Sequence, residues 1–212
     1  MRAQTTQRQN NSNDTWEKVF QDFLNNSEED PPVSHKDGTS RGSLCLVSPG
    51  LIEVTEKTWS TRPTFIWQGY LKRIEINKAN SEEILWTVKV KENDQKVIYT
   101  GETLQPGNIY YWQVFDSMGS EYDLPLLRVT FRIIDIEESQ AITQELEKLD
   151  AELNLQGATQ EAITFARVKF FAERNLWSDV LSEAFAVNNP SSKLQDFRSN
   201  ILQYFCQPSS KN

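Results

Sequence analysis

Three large aromatic residues stand side by side in this chain, and their chemistry allows two interpretations. Tyr110, Tyr111 and Trp112 follow a Pro-Gly turn within TLQPGNIYYWQVFD, residues 103–116. Exposed aromatic rings stack on sugars or bases, so the row is a candidate binding surface. The same residues can instead form a core strand that is entered through a tight corner. The secondary structure predicted on either side of these residues decides between a binding surface and a core strand.

A second group of candidate binding residues lies upstream. Trp59 and Arg62 flank a turn in TWSTRPTFIWQG, residues 58–69, where they can form a cation–π contact or a sugar-facing patch. Tyr70 follows directly and joins the ligand or partner candidates. The structural alternative, which we favour, is that Trp59 closes one end of the β-domain.

Motifs for catalysis or metal binding are absent from the sequence. It has no GxSxG nucleophile motif and no phosphate-binding glycine loop, and its single histidine, His35, lies in a polar stretch. Paired carboxylates stand at or before predicted helix starts, where acids stabilise the helix dipole. The two cysteines form no CxxC pair, and KENDQK has too few ligands for calcium. We expect a protein that is not an enzyme and uses neither a metal nor a cofactor.

The composition restricts the classes of partner. The chain has 212 residues, 38% of them hydrophobic, and a net charge of −8. An acidic surface repels phosphate backbones and anionic lipid heads, so we expect no nucleic acid partner. No apolar run approaches the roughly 18–20 residues that span a bilayer, so no membrane insertion is expected. A protein partner remains, with the oligomeric state open.

Residues 1–43 are predicted to be a polar leader with one short helix and a flexible linker. In DTWEKVFQDFLNN, apolar residues recur at helical spacing from Trp16 to Leu24. SEEDPPVSHKDGTSRG is charged and rich in Pro, Gly and Ser, which is typical of a tether. The helix docks either on this chain, which we favour, or on a partner. The tether composition predicts that deletion of residues 1–40 leaves the rest folded.

Seven short strand-like runs fill residues 44–135 without helices between them. This pattern predicts an antiparallel β-sandwich of immunoglobulin or fibronectin type III character. LQPGNIYYWQV resembles the fibronectin type III corner, where a tyrosine hydrogen-bonds back to the backbone of the corner. Tyr110 is the candidate corner tyrosine. Strand alternation then places Trp112 on the same face and Tyr111 with Gln113 on the other.

From Ile136 the apolar period is helical, which predicts a C-terminal helical domain over residues 136–207. Gly157 lies where a helix would end in a left-handed conformation. Residues 162–190 resemble one tetratricopeptide-type hairpin, in which Trp177 would close the turn and Ser178 would cap the second helix. The expected fold class is α+β: an antiparallel β-sandwich followed by a helical hairpin or bundle.

Cys45 lies in the first predicted strand and Cys206 at the end of the last predicted helix. They are either two buried thiols or one structural disulfide, which needs an oxidising compartment and Cα atoms within about 7 Å. Residues 1–12 lack the apolar segment of a signal peptide, whereas AQTTQ is typical of a start left by cleavage. We expect a mature periplasmic or extracellular protein, with the cytoplasm as the alternative.

An ordered set of short motifs carries a family resemblance. LCLVSPG, RPTFIWQG, EILW, YTGETLQPGNIYYW, FFAERNLWSDVL and NPSS together are similar to cyanobacterial proteins grouped as domain of unknown function 928. The resemblance covers about residues 43–206. Such proteins usually carry a secretion signal, and some are encoded near caspase-like or secretion-system proteins. The resemblance therefore implies an exported accessory or adaptor role and supplies no active-site residues.

Three functional hypotheses follow. The first is a non-catalytic, exported interaction or adaptor protein whose sandwich presents loops and is braced by the helices. The alternative is a carbohydrate-binding module that uses Tyr111, Trp59 and Tyr70. The third is a cytosolic adaptor whose N-terminal helix inserts into a groove of a partner.

Overall fold

The structure is a computed structural model that describes residues 15–26, 44–50, 55–81, 83–116 and 124–206. Across these residues, no helix is both long and apolar enough to cross a bilayer. In chain order the elements are α1 (Trp16–Asn26), β1 (Cys45–Ser48), β2 (Glu56–Thr58), β3 (Thr64–Gln68), β4 (Arg73–Lys78), β5 (Ile84–Lys89), β6 (Lys96–Ile98), β7 (Ile109–Phe115), β8 (Leu127–Ile133), α2 (Ile136–Leu155), α3 (Gln160–Ala172), α4 (Trp177–Ala186) and α5 (Ser192–Cys206).

The strands form two sheets. One is three-stranded with the order β1-β3-β6, and the other is five-stranded with the order β2-β8-β7-β4-β5. The pairings are antiparallel except for that of β2 with β8, which is parallel. The chain is thus α+β, with two mainly antiparallel sheets followed by C-terminal helices, as the sequence predicts.

Alternation along β3 divides the interior into two cores. Phe65 and Trp67 belong to the core shared with the five-stranded sheet, whereas Ile66 between them belongs to the core shared with the helices. β1 divides in the same way, with Leu46 in the first core and Val47 in the second. The three-stranded sheet therefore lies between the other sheet and the helices. Burial of both its faces explains the continuous apolar run of β3.

The core between the sheets is closed at one end by the Pro49–Gly50 corner. Trp112 is fully buried, and its indole Nε1 donates a hydrogen bond to the carbonyl of Pro49 at 2.8 Å. Gly50 has a φ of +89°, and a Cβ at this position would lie 2.6 Å from the carbonyl oxygen of Thr130. A side chain does not fit there, so the corner requires glycine.

Tyr110 has the role that the corner motif predicts. Its side chain is buried, and its hydroxyl oxygen accepts a hydrogen bond from the backbone N–H of Gln105 at 2.9 Å. Gly107 has a φ of +77°, which allows the turn that brings Gln105 back to the ring. Two of the three adjacent aromatic residues, Tyr110 and Trp112, therefore belong to the core.

We expect Tyr110→Phe to lower the free energy of unfolding by about 1–2 kcal/mol, because the amide of Gln105 loses its acceptor. Tyr111→Phe serves as the matched control and is expected to cost less. Its hydroxyl donates to the carbonyl of Ser81 at a half-buried turn, where water can replace it. Chemical denaturation of both variants measures the difference; equal losses would contradict the assignment of the two faces.

α3 and α4 form the predicted helical hairpin, connected by residues 173–176. Gly157 has a φ of +68°, as predicted, and the hydroxyl of Thr159 accepts from Ala162 N at 3.2 Å to cap α3. The prediction that Ser178 caps α4 is wrong. The helix begins directly after Leu176, and Ser178 lies buried in its first turn.

α1 docks on the helices of its own chain. The Trp16 ring lies 4.8 Å from that of Phe165 on α3 and 5.2 Å from that of Phe197 on α5, centroid to centroid. Trp16 and Val19 are buried members of the helical core. The prediction that residues 1–40 can be deleted rests on the composition of the linker and therefore does not extend to Trp16 and Val19. The linker itself, residues 27–43, lies outside the described residues.

We expect Trp16→Ala to release α1 while the remaining layers stay folded, because a terminal helix that packs mainly on α3 and α5 can open locally. The loss of stability cannot exceed the free energy with which α1 docks on the other helices. The burial of one large side chain contributes about 1–3 kcal/mol to that free energy. Hydrogen exchange of residues 16–26 measures the release. Exchange that also rises across β7 and β8 would show that α1 is needed by the whole fold.

Candidate functional site

The outer face of the five-stranded sheet is the side that points away from the core between the sheets. Its members alternate along each strand with core residues such as Ile74, Trp112 and Val129. The strand registers place these residues on it: Lys57, Arg73, Glu75, Asn77, Ile84, Thr87, Lys89, Ile109, Tyr111, Gln113, Phe115, Arg128, Thr130 and Arg132. This set contains Tyr111, the first of the predicted binding residues.

Tyr111 lies in the middle of the outer face, between Asn77 on β4 and Thr130 on β8. Its hydroxyl donates a hydrogen bond to the carbonyl of Ser81 at 3.0 Å. The guanidinium carbon of Arg128 lies 4.4 Å from the centroid of its ring. The hydroxyl and the ring are therefore both engaged by the chain itself, so Tyr111 is not a free stacking platform.

A chain of hydrogen bonds crosses the outer face from β8 towards β5. Arg128 Nη2 donates to Gln113 Oε1 at 2.9 Å, and Gln113 Nε2 donates to Asn77 Oδ1 at 3.0 Å. Asn77 Nδ2 then donates to the carbonyl of Glu83 at 2.9 Å. Gln113 and Asn77 are buried, so these bonds hold their geometry firmly. Through the bond to Gln113, the network holds the Nη2 end of the Arg128 guanidinium in place. The Arg128 side chain is otherwise exposed.

Trp59 lies on the opposite side of the molecule and connects the β2–β3 segment to the helices. Its indole Nε1 donates to Ser139 O at 3.3 Å and to Thr143 Oγ1 at 3.2 Å, both on α2. Its ring lies 5.6 Å from that of Phe171 on α3. Trp59 is thus half-buried at a layer boundary, where it contacts helices rather than closing an open end of the β-domain.

Arg62 and Tyr70 lie in separate turns. Arg62 donates to the carbonyl of Gly101 at 2.9 Å and to Thr103 Oγ1 at 3.4 Å. Tyr70 is half-buried, with the ammonium group of Lys72 5.9 Å from its ring centroid. Because Tyr111 and Trp59 lie on opposite sides of the three-stranded sheet, the four predicted residues do not form one surface.

A buried carboxylate that the sequence did not single out, Asp179, binds the sheets to α4. Its Oδ1 accepts hydrogen bonds from Thr58 Oγ1 at 3.0 Å and Ser60 N at 2.9 Å, and its Oδ2 accepts from Trp59 N at 2.7 Å. Asp179 is 1% exposed. Burial raises the pKa of its carboxyl group to about 7, although the three hydrogen bonds oppose this rise.

Glu56 adds a second carboxyl group to this region. Its Oε2 accepts from the backbone N–H of Gly50 at 2.6 Å. Burial raises the pKa of Glu56, and its charge in turn contributes to the raised pKa of Asp179. In LWSD, an acid in the first turn of a helix is explained by the helix dipole alone. The sequence therefore held no signal that Asp179 would meet the β2–β3 segment.

Across the residues that the structure describes, no three His, Cys, Asp or Glu side chains cluster as metal ligands would. His35 lies outside the described residues.

Cys45 and Cys206 are joined by a disulfide bond, with their Cα atoms 5.6 Å apart. The bond connects β1 to the end of α5 across 161 residues of sequence. It therefore ties the three-stranded sheet covalently to the helical layer.

No protein-family model matches the chain, and no curated protein matches it significantly. Its functional assignment therefore rests on the surfaces and contacts described above.

Proposed function

We propose that this chain is a non-catalytic interaction protein. The observation that carries the proposal is an exposed apolar group on and beside the outer face: Ile84 is 52% exposed, Leu85 36% and Ile109 40%. Ile84 and Leu85 lie on β5, the edge strand of the five-stranded sheet, and Ile109 lies on β7 two strands away, about 10 Å across the sheet. Exposed apolar groups at a sheet edge are typical of protein docking sites.

The same proposal includes an immunoglobulin or fibronectin type III type of sandwich for residues 44–135. The division of strands into β1-β3-β6 and β2-β8-β7-β4-β5 supports it, as does the Tyr110 corner. The helices that cover the three-stranded sheet are an addition to such a sandwich. They leave the outer face of the other sheet uncovered by helices, and its exposed side chains lie on β2, β5, β8 and at the start of β7.

An exported location and kinship with the domain of unknown function 928 proteins belong to the proposal as well. A disulfide between Cys45 and Cys206 supports a periplasmic or extracellular location, because cytosolic thiols are kept reduced. The ordered motifs support the kinship.

A carbohydrate-binding module is the weaker alternative. Sugar binding by aromatic residues needs an open ring face, and Arg128 already covers the ring of Tyr111 at 4.4 Å. Trp59 is engaged by α2 and α3. A glycan array screen of the wild type and Tyr111→Ala tests this alternative. Selective sugar binding that disappears in the variant would favour the module over the interaction protein.

The interaction function is tested by affinity capture from an extract of the source organism, followed by mass spectrometry. We expect a protein that is retained by the wild type and lost from Ile84→Ser/Leu85→Ser. Leu155→Ser is the matched control, because Leu155 is 88% exposed at the end of α2 and lies away from β5. Equal capture by all three proteins, or capture of no protein, would contradict the proposal.

A further inference from the structure

Charge is distributed unevenly over this molecule. The outer face carries four cationic side chains that reach solvent, namely Lys57, Lys89, Arg128 and Arg132. Its fifth cation, Arg73, is buried and lies 3.0 Å from the carboxylate of Glu75, the one acid of this face. The whole chain, in contrast, has a net charge of −8. α2 shows the opposite bias, since its sequence IEESQAITQELEKLDAELNL has six acids and one lysine. The positive charge is therefore concentrated on one sheet face of an otherwise acidic protein.

The cations on β8 and on its neighbour β2 form a row. Arg128 and Arg132 are separated along β8 by Thr130 and two core residues, which places them about 13 Å apart. Lys57 lies beside Arg132 on the neighbouring strand β2. Arg132 is balanced by Asp135, whose Oδ1 lies 2.7 Å from its Nη2. Lys57 and Arg128 are exposed cations with no carboxylate in salt-bridge contact among the described residues.

The side chain of Arg128 is already held in one conformation in the absence of a partner. Its guanidinium rests on the Tyr111 ring and donates one hydrogen bond to Gln113, whereas the group carries five N–H donors in total. Because the side chain is already ordered, little further conformational entropy is lost when a carboxylate binds it. A bidentate arginine–carboxylate pair is the interaction that this arrangement favours.

Resting on the proposed interaction function, we propose that the outer face binds an acidic protein surface. Carboxylates of the partner contact Arg128 and Lys57, and apolar side chains of the partner cover Ile84, Leu85 and Ile109. The apolar group distinguishes this partner from nucleic acid or an anionic polysaccharide, neither of which gains from contact with exposed isoleucine. The overall negative charge further disfavours nucleic acid.

Site-specific photo-cross-linking in the full-length protein tests this assignment. The photoreactive residue p-benzoylphenylalanine replaces Ile109 in one variant and Leu155 in another, and each is irradiated in an extract of the source organism. We expect a protein adduct from position 109 and none from position 155. The cross-linked protein is expected to have a net negative charge, as read from its identified sequence.

Charge reversal tests the electrostatic part. In the position-109 variant, Arg128→Glu or Lys57→Glu is expected to reduce the adduct at least tenfold. Lys148→Glu makes the same charge change on α2 and is expected to leave the adduct unchanged. Lys57→Glu matters because Arg128→Glu also removes the bond to Gln113, so a loss seen with both variants reports charge rather than misfolding.

The outcomes separate the two proposals. An adduct from position 155 alone would overturn the outer-face assignment while leaving the interaction function standing. No protein adduct from either position would overturn both. An adduct with a basic protein, a nucleic acid or a glycan, or one insensitive to Arg128→Glu and Lys57→Glu, would overturn the acidic partner.

Discussion

Removal of the disulfide in Cys45→Ala/Cys206→Ala is expected to lower the free energy of unfolding by about 5 kcal/mol. The bond closes a loop of 161 residues, and the chain-entropy relation gives about this value for a loop of that length. The total free energy of unfolding of a small protein is about 5–15 kcal/mol, so the variant is expected to be marginally stable at best. Urea denaturation of the oxidised wild type and the double variant measures the difference.

The reduced wild type is the control for this experiment. Cys45 and Cys206 are both buried, so alanine also removes a sulfur atom from the helical core at each site. Reduction breaks the bond and keeps both sulfur atoms, which isolates the contribution of the covalent link. A reduced protein with an unchanged denaturation midpoint would contradict the prediction. Two alkylated cysteines in unreduced protein would in addition remove the disulfide as support for export.

Local features were predictable from this sequence because they depend on neighbours along the chain. The period of apolar residues located α1 and the C-terminal helices, and Gly157 marked the end of α2. The Pro-Gly corner assigned Tyr110 to the core and its neighbour Tyr111 to the other face. The bond between Gln105 and Tyr110 spans five positions, and the period and the end of a helix depend on residues that are adjacent along the chain.

Contacts between layers were not predictable in the same way. The run TFIWQ in β3 indicates a strand buried on both faces but does not reveal what covers each face. That α4 and α5 lie against the three-stranded sheet depends on partners more than 100 residues away, such as Ser182 on α4 for Thr64 on β3. Trp59 and Arg62 are a candidate for a shared cation–π contact or binding patch in the sequence because the two are close along the chain. In the structure they engage different neighbours.

Asp179 is expected to make the stability of this protein depend on pH. Its pKa is about 7 in the folded protein, against an ordinary value of 3.8 that applies when the chain is unfolded. Between these values the folded protein retains a proton that the unfolded chain releases. The free energy of unfolding therefore falls as the pH rises from about 4 to 7, by about 4 kcal/mol in total from this group. Glu56, whose pKa burial also raises, contributes in the same direction.

Asp179→Asn isolates this contribution. The amide cannot ionise, so the unfolding free energy of the variant is expected to vary less with pH than that of the wild type, by about 4 kcal/mol between pH 4 and 7. The variant also loses a constant amount at every pH, because one amide N–H now faces the N–H donors of Trp59 or Ser60. Asp196→Asn on the exposed side of α5 is the matched control and is expected to follow the wild type.

Denaturation midpoints at several pH values between 4 and 7 distinguish two states of the Asp179 contact. If the carboxyl group is protonated below neutral pH, the difference between wild type and Asp179→Asn changes steadily across this range. If its three hydrogen bonds keep it ionised throughout, the two curves run parallel and differ only by the constant loss. Parallel curves would contradict the raised pKa. Asp179 would then be an ionised carboxylate that holds residues 58–60 on α4 at every pH in the range.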